Sequence, residues 1–323
     1  LDPCEPDIGQ KHVNDTAEPF LLEGVEIIDT FAEAFPITAA RVIITAESRR
    51  WARTAATVMT GNATSVIACD CEAGIERMLD PAETPDGRPG ISVLVFAFSR
   101  DALSKALVHR VGQCVLTCPT TACFNGLPES PKDRQIVVGG QLRYFGDSHQ
   151  SSKKFDARRF WRIPVMDGEF VVEEKFGTAK GVAGGNLLLL ASDQASALDA
   201  AQRAARAIRQ VRDCILPFPG GIVRSGSKVG SKYKSLKAST NHLYCPTLRG
   251  QVASELPREI GAVYELVIDG LSPDAVQAAM RAGLHAACSV AGLLRVTAGN
   301  YGGKLGPFHF ALRDLLTLPS PAS

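Results

Sequence analysis

The carboxylate with the least ordinary surroundings is Glu265. In the stretch Gly261-Ala-Val-Tyr-Glu265-Leu-Val-Ile-Asp269, strand alternation puts Val263, Glu265 and Val267 on one face and Tyr264, Leu266 and Ile268 on the other. Neither face is polar. A glutamate among valines loses hydration, which raises its pKa and suits it to be a neutral hydrogen-bond donor or a general acid. The alternative is an edge strand whose Glu head reaches water. A second candidate is an acid-free window. Residues 214–254 hold no Asp or Glu but carry Arg224, Lys228, Lys232, Lys234, Lys237 and Arg249, with Ser225, Ser227 and several glycines between them. Glycines let backbone N–H groups approach an anion, and hydroxyls with cationic side chains add donors and charge. That mixture points to a cradle for ligand phosphates or carboxylates; a solvated basic loop is the competing reading. The Gly-rich segment 298–306 is a third candidate. It would either bring Asn300 and backbone N–H groups to a ligand or form a wide turn before a strand over 308–315.

Other chemistries fail on spacing. Gly221-Ile-Val-Arg-Ser-Gly226-Ser-Lys228 has the glycine interval of a nucleotide phosphate loop but places Ser before Lys. The amine and hydroxyl would then stand in the wrong order for phosphate and Mg²⁺. Cys69 and Cys71 are two apart, Cys114, Cys118 and Cys123 form a loose group, and no Cys-x-x-Cys or zinc-type His spacing occurs, so no metal is expected. There is no Gly-x-Ser-x-Gly elbow and no Rossmann glycine pattern.

The elements that must carry these residues repeat. Residues 24–31 and 168–176 each read as a strand running into a Phe-bearing turn. A small-residue loop then leads to a strand, 41–46 in one copy and 186–191 in the other, followed by an Ala-rich helix at 48–60 or 192–211. Apolar strands at 91–98 and 262–268 each precede a helix opened by a Ser or Asp signal, and a last short strand follows at 114–118 or 293–298. A repeat about 145 residues long is a duplicated domain rather than a solenoid, whose periods run to roughly 50 residues. The expected class is α+β: two ferredoxin-like lobes, antiparallel sheets with helices on one face. The first spans 21–167, with an extra strand pair in 130–165; the second spans 168–318; residues 1–20 form a flexible arm. Duplicated lobes tend to trap a ligand cleft.

The chain's 35 basic and 34 acidic side chains nearly cancel, which argues against a basic nucleic-acid binder. No apolar run approaches the ~20 residues of a membrane helix, and the first 20 residues do not read as a secretory signal. Nine scattered cysteines suggest reduced thiols in a cytoplasmic protein.

Seven segments share one resemblance: Asp29-Thr-Phe-Ala-Glu-Ala-Phe35, Glu83-Thr-Pro-Asp-Gly-Arg-Pro-Gly90, Phe218-Pro-Gly-Gly-Ile-Val-Arg-Ser225, Ser227-Lys-Val-Gly-Ser-Lys232, Ala238-Ser-Thr-Asn241, Tyr244-Cys-Pro-Thr247 and Ala298-Gly-Asn-Tyr-Gly-Gly-Lys-Leu-Gly306. Together, over roughly residues 22–316, they resemble the formylmethanofuran–tetrahydromethanopterin formyltransferase family. The resemblance implies two ferredoxin-like lobes and a transferase that moves a formyl group between the methanofuran amine and a ring nitrogen of tetrahydromethanopterin. These two are cosubstrates, with no permanently bound cofactor. It also implies that a glutamate matching Glu265 lies near the transferring carbon, and that Arg224, Ser225, Ser227, Lys228, Asn241 and Asn300 meet the cosubstrates and their anionic tails. Near-neutral charge and an excess of Arg over Lys fit a bacterial member of one-carbon oxidation. Such members imply a homo-oligomer or hydrolase-complex subunits as partners. The alternative is a non-catalytic scaffold subunit of such a complex.

Overall fold

The computed structural model describes residues 20–254 and 256–317. The first half contains β1 (Phe20–Leu22), β2 (Val25–Ile27), β3 (Phe31–Thr45), α1 (Arg49–Met59), β4 (Glu72–Leu79), β5 (Gly90–Ala97), α2 (Arg100–Arg110) and β6 (Ala122–Asn125). A smaller group follows: β7 (Gln135–Val137), α3 (Gly139–Leu142), β8 (Ser151–Phe155), β9 (Arg158–Val165), β10 (Gly168–Glu173) and β11 (Lys175–Gly177). The second half runs β12 (Ala179–Ala191), α4 (Gln194–Ile208), β13 (Cys214–Ile215), β14 (Lys228–Val229), β15 (Ala238–Ser239) and β16 (Ala262–Gly270). It ends with α5 (Pro273–Cys288), β17 (Leu293–Thr297), β18 (Phe308–Ala311) and α6 (Leu312–Thr317).

The four long helices start where the sequence signals them. The side chains of Ser48, Ser99, Asp193 and Ser272 accept from the backbone N–H three residues on, in Trp51, Ala102, Ser196 and Ala275. α1 and α4 bury alanine-rich stripes, and α2 and α5 bury faces that mix alanine with larger apolar residues. Ala52, Ala55, Ala56, Leu103 and Leu107 pack on Val42, Ile44, Val93 and Val95; Ala197, Ala201, Ala204, Val276 and Met280 pack on Leu187, Leu189, Leu266 and Ile268.

The strands of the first half lie in the order β4-β5-β3-β6 and those of the second in the order β13-β16-β12-β17, all antiparallel. The two sets are joined because β3 and β12 pair directly, from Ala39↔Ala179 to Phe35↔Ala183. This is a mixed α+β fold built on one extended sheet. Its first strands interleave with its last. β2 adds in parallel to β17, β18 pairs with the start of β3, and Val25, Ile27, Ala32 and Ala34 are buried in the core under α4 and α5.

Four local expectations are corrected. The small-residue approaches to residues 41 and 186 are strand, not loop, so β3 and β12 are 15 and 13 residues long. Small side chains there serve the β3–β12 junction: a Cβ on Gly181 would come within 3.0 Å of both Phe96 and the Gly270 carbonyl. Residues 114–118 are not a strand; α2 continues into a wider turn, with Leu116 N–H donating to the Val111 carbonyl, and the strand comes later as β6. Residues 143–146 form a helical turn, leaving β8 and β9 as the extra pair. Only Phe308–Ala311 is strand at the C-terminal end, because Leu312 and Leu315 turn into the core as α6. The expected arm, residues 1–20, and the end of the second lobe at 318 lie outside the described residues apart from Phe20 and the approach to 317. No helix among the described residues is long and apolar enough to cross a membrane.

Candidate active site

The helices cover one face of the second sheet. On the opposite face Leu188 and Leu190 of β12 pack with Leu256, Ile260, Val263 and Leu294, and the irregular segment between β13 and β16 closes over them. Glu265 lies on that covered face, opposite Leu188 in the strand register. It is 4% exposed. The edge-strand alternative therefore does not hold: β16 is flanked by β12 and β13, and Val223 docks beside Glu265 through a reciprocal pair of backbone hydrogen bonds, 2.7 and 3.1 Å.

The Glu265 carboxyl has one defined side-chain partner. Ser227 Oγ donates to Oε1 at 2.6 Å, while Oε2 is buried without a hydrogen bond. Loss of hydration pushes the carboxyl up to about 7, against a smaller opposing pull from the Ser227 hydroxyl and backbone N–H. At neutral pH a substantial fraction is protonated. A protonated carboxyl with a free oxygen is a donor in search of an acceptor.

The basic segment delivers Ser227 through close backbone packing. Gly226 has φ +73°, and a Cβ there would stand 2.5 Å from that of Asn241. Asn241 N–H donates to the Ser225 carbonyl at 3.3 Å, and the short β14–β15 ladder pairs Lys228 with Ser239. Lys228 Nζ lies 3.1 Å from Nδ1 of His242. Partial burial, followed by the charges of Lys228 and Lys232, lowers the pKa of that imidazole, so a neutral ring accepts from the ammonium. Ser225 Oγ turns back to the Gly226 carbonyl, and Arg224 is exposed.

Of the residues singled out from sequence, Ser227 alone contacts the Glu265 carboxyl; Ser225, Lys228 and Asn241 lie on the same basic segment and pack against one another through its backbone, and Arg224 is exposed. Asn300 is occupied differently. Its amide donates to Thr30 Oγ1 at 2.9 Å and the Phe31 carbonyl at 3.4 Å, and its oxygen accepts from Gly302 N–H, so it ties the Gly-rich loop to the start of β3. Three groups of interest are not legible as such in the sequence. Tyr301 donates its hydroxyl to the Ser227 carbonyl at 3.1 Å and accepts from Val229 N–H at 3.3 Å. Glu33 is buried under the Gly-rich loop. On the Glu265 strand, Asp269 is buried with Glu72 of β4; burial and the neighbouring Glu72 charge raise the Asp269 pKa, and burial raises that of Glu72. The only sequence cue for Tyr301 and Glu33 is membership of the motifs around 29–35 and 298–306.

Among the described residues Cys71, Cys123, Cys214 and Cys288 are buried as small core hydrophobes, and Cys69, Cys114, Cys118 and Cys245 are partly buried. Burial pushes the thiols of Cys71, Cys214 and Cys288 up to about 12. Among the described residues no group of three or more His, Cys, Asp or Glu side chains is arranged to hold a metal ion.

Comparison with known proteins places both halves of the chain in one family. The family model for formylmethanofuran-tetrahydromethanopterin formyltransferase matches residues 20–165, and the model for the proximal lobe of the same family matches residues 168–315. Formylmethanofuran–tetrahydromethanopterin formyltransferase of Methylococcus capsulatus is 58% identical over 299 residues, covering 92% of this chain and 99% of the relative. A formyltransferase/hydrolase complex subunit of Methylorubrum extorquens is 53% identical over 310 residues, covering 93% and 99%. The crystal structure of that organism's complex with methylofuran contains a chain that superposes with a TM-score of 0.89 at 52% identity, covering 94% of this chain and 100% of that one. The Methanosarcina barkeri enzyme superposes with a TM-score of 0.87 at 50% identity, covering 92% and 100%. With both halves matched in order, this chain belongs to the formylmethanofuran–tetrahydromethanopterin formyltransferase family.

Proposed function

We propose that this chain, a formyltransferase acting between methanofuran and tetrahydromethanopterin, uses Glu265 as the proton-bearing group of a direct acyl transfer. The attacking nitrogen adds to the formyl carbon, the C=O electrons move onto oxygen, and the tetrahedral intermediate collapses by breaking the bond to the leaving nitrogen. One nitrogen loses a proton and the other gains one, so no net proton is consumed. Positioned donors and a proton shuttle are what this path requires. The observation that carries the reading is the buried carboxyl with one oxygen held by Ser227 and the other free. Held protonated, it donates to the developing oxyanion and relays the proton between nitrogens.

Arg224, Ser225, Ser227, Lys228 and Asn241 are the proposed contacts to the anionic tails, supported by the absence of acidic residues over 214–254. Asn300 is proposed to act through loop placement. We further propose two duplicated ferredoxin-like lobes, 21–167 and 168–318; the support is the shared order, in which the first long strand of each unit, β3 or β12, is flanked by the last and third strands of that unit. A cytoplasmic location and assembly as a homo-oligomer or with hydrolase-complex subunits complete the proposal, the latter supported by likeness to the Methylorubrum protein.

Single-turnover formyl exchange tests the mechanism. Glu265→Ala lowers turnover by on the order of 10²–10³ with folding and cosubstrate affinity retained, the usual worth of an oxyanion donor. Glu265→Gln falls less if donation dominates and about as far if proton transfer does. Unchanged turnover in Glu265→Ala would remove the assignment, and inactivity of the wild-type chain would favour a scaffold role.

A further inference from the structure

Glu33 is 1% exposed, and its carboxylate meets no cation among the described residues. Four backbone N–H groups of the Gly-rich loop converge on it instead. Tyr301 donates at 2.7 Å, Gly303 at 3.1 Å and Gly306 at 2.9 Å, and Leu305 completes the set. Burial alone would raise its pKa, but these donors outweigh burial and hold it below the ordinary carboxylate value, so Glu33 is an anion at neutral pH. The loop it organises carries Tyr301, whose hydroxyl bridges the Ser227 carbonyl and Val229 N–H. Ser227 in turn supplies the hydroxyl that holds Oε1 of Glu265.

We infer that Glu33 and Tyr301 are positioning residues for the proton-bearing carboxyl: Glu33 fixes the loop, Tyr301 clamps the Ser227 peptide, and Ser227 sets the orientation and proton affinity of Glu265. The inference rests on the catalytic reading of Glu265. Among the described residues no other side chain anchors the Glu265 carboxyl. Its β12 partner Leu188 and the neighbouring Leu190 and Leu256 are apolar. Of the titratable groups, Tyr301 feels the charges of both Glu265 and Glu33 from the loop side, while Arg224 and Lys228 with its partner His242 sit on the basic segment that carries Ser227. Because Ser227 donates to Glu265, it favours the charged carboxylate. Releasing Ser227 therefore leaves Glu265 more firmly protonated and less well aimed.

The test is the pH profile of single-turnover transfer by the full chain. Wild type loses rate as pH rises through about 7, and Glu265→Gln abolishes that limb. In Tyr301→Phe the rate at pH 6 falls about tenfold while the limb moves up by about one pH unit, the loss expected of one hydrogen bond to a charged group. Glu33→Gln, which keeps the shape but loses the charge that four N–H groups need, shifts the limb the same way; Glu33→Asp restores it in part. A merely structural loop would lower the melting temperature and leave the limb in place. A limb that persists in Glu265→Gln removes the catalytic reading itself. A limb lost in Glu265→Gln but unmoved in Tyr301→Phe and Glu33→Gln overturns the positioning role alone.

Discussion

Each half of the sheet holds a serine–glutamate contact, and the two produce opposite chemistry. On β3 the residue Ile43 pairs with Ser92, and on β12 the residue Leu188 pairs with Glu265. In the first half Ser92 Oγ donates to Glu76 at 2.5 Å, while Arg41 grips the same carboxylate through Nε at 2.9 Å and Nη2 at 2.8 Å and reaches on to Asp213. Burial acts to raise the Glu76 pKa, but the Arg41 hydrogen bond and charge, with Ser92 and the Asp213 N–H, bring it below the ordinary value. In the second half Ser227 holds Glu265 with no guanidinium from the described residues on its carboxyl, and the pKa climbs. Burial by itself does not make a proton donor. Burial with neither a cation nor a cluster of N–H donors to hold the charge does, as Glu33 shows by its contrary behaviour.

The most damaging way to break the contrast is Arg41→Ala, which strands Glu76 in the interior. Loss of one partner of a buried pair costs about 3–5 kcal/mol, read as a fall in unfolding free energy from urea titration. A loss under about 1 kcal/mol would mean the network behaves as surface ion pairs do. Next in size is the pH dependence of stability, where the two glutamates have opposite signs. Glu265 has a raised folded pKa, so the native state binds more protons than the unfolded chain between the ordinary carboxyl value and about 7. Stability therefore declines across that window as pH rises, by about 3 kcal/mol in total. Glu76 has a lowered folded pKa, so its contribution is present above the ordinary carboxyl value and is lost as pH falls through the folded one. Glu265→Gln should flatten the near-neutral decline and Glu76→Gln the acid limb; the reverse pattern would refute the assignment of the two environments. The smallest expected effect lies at the rim. Lys228→Ala raises the KM for the anionic cosubstrate by about tenfold at low ionic strength, and by less as salt screens the charge. Salt-independent kinetics in both proteins would make the basic segment a solvated surface.

The contrast also shows what a sequence reveals and where it stops. Glu265 stands out because an acidic residue interrupts an apolar alternation, but the pattern fits a buried strand and an edge strand alike, and the flanking β12 and Val223 decide for burial. The helix caps at Ser48, Ser99 and Ser272 are equally visible, being local. The length of β3 is not, since Ala32, Ala34, Ala39 and Ala40 look like linker until a second strand packs against them. Cys114-Val-Leu-Thr-Cys118 has strand-like composition, yet the helix ahead of it sets its conformation. Ser227 and Glu265 are 38 residues apart, and Tyr301 and Glu33 are 268 apart. No spacing rule spans such separations. Asn300 carries the right chemistry for a ligand contact, but its choice of Thr30 depends on where the chain returns in space.

The interleaving of the first strands with the last carries a consequence for how the molecule is made. A chain cut between residues 165 and 168 would separate the two family matches cleanly, yet the C-terminal piece would lack Val25, Ile27, Ala32 and Ala34 from its own core, as well as the strand against which β18 closes. The C-terminal fragment is therefore not a self-sufficient folding unit. Until the ribosome has released β17 and β18, the β1–β2 pair and residues 31–34 of β3 lack the strands they join in the finished sheet. The finished protein is buckled shut by strands made long before the ones they fasten, and a single cooperative melting transition is the expected outcome in calorimetry.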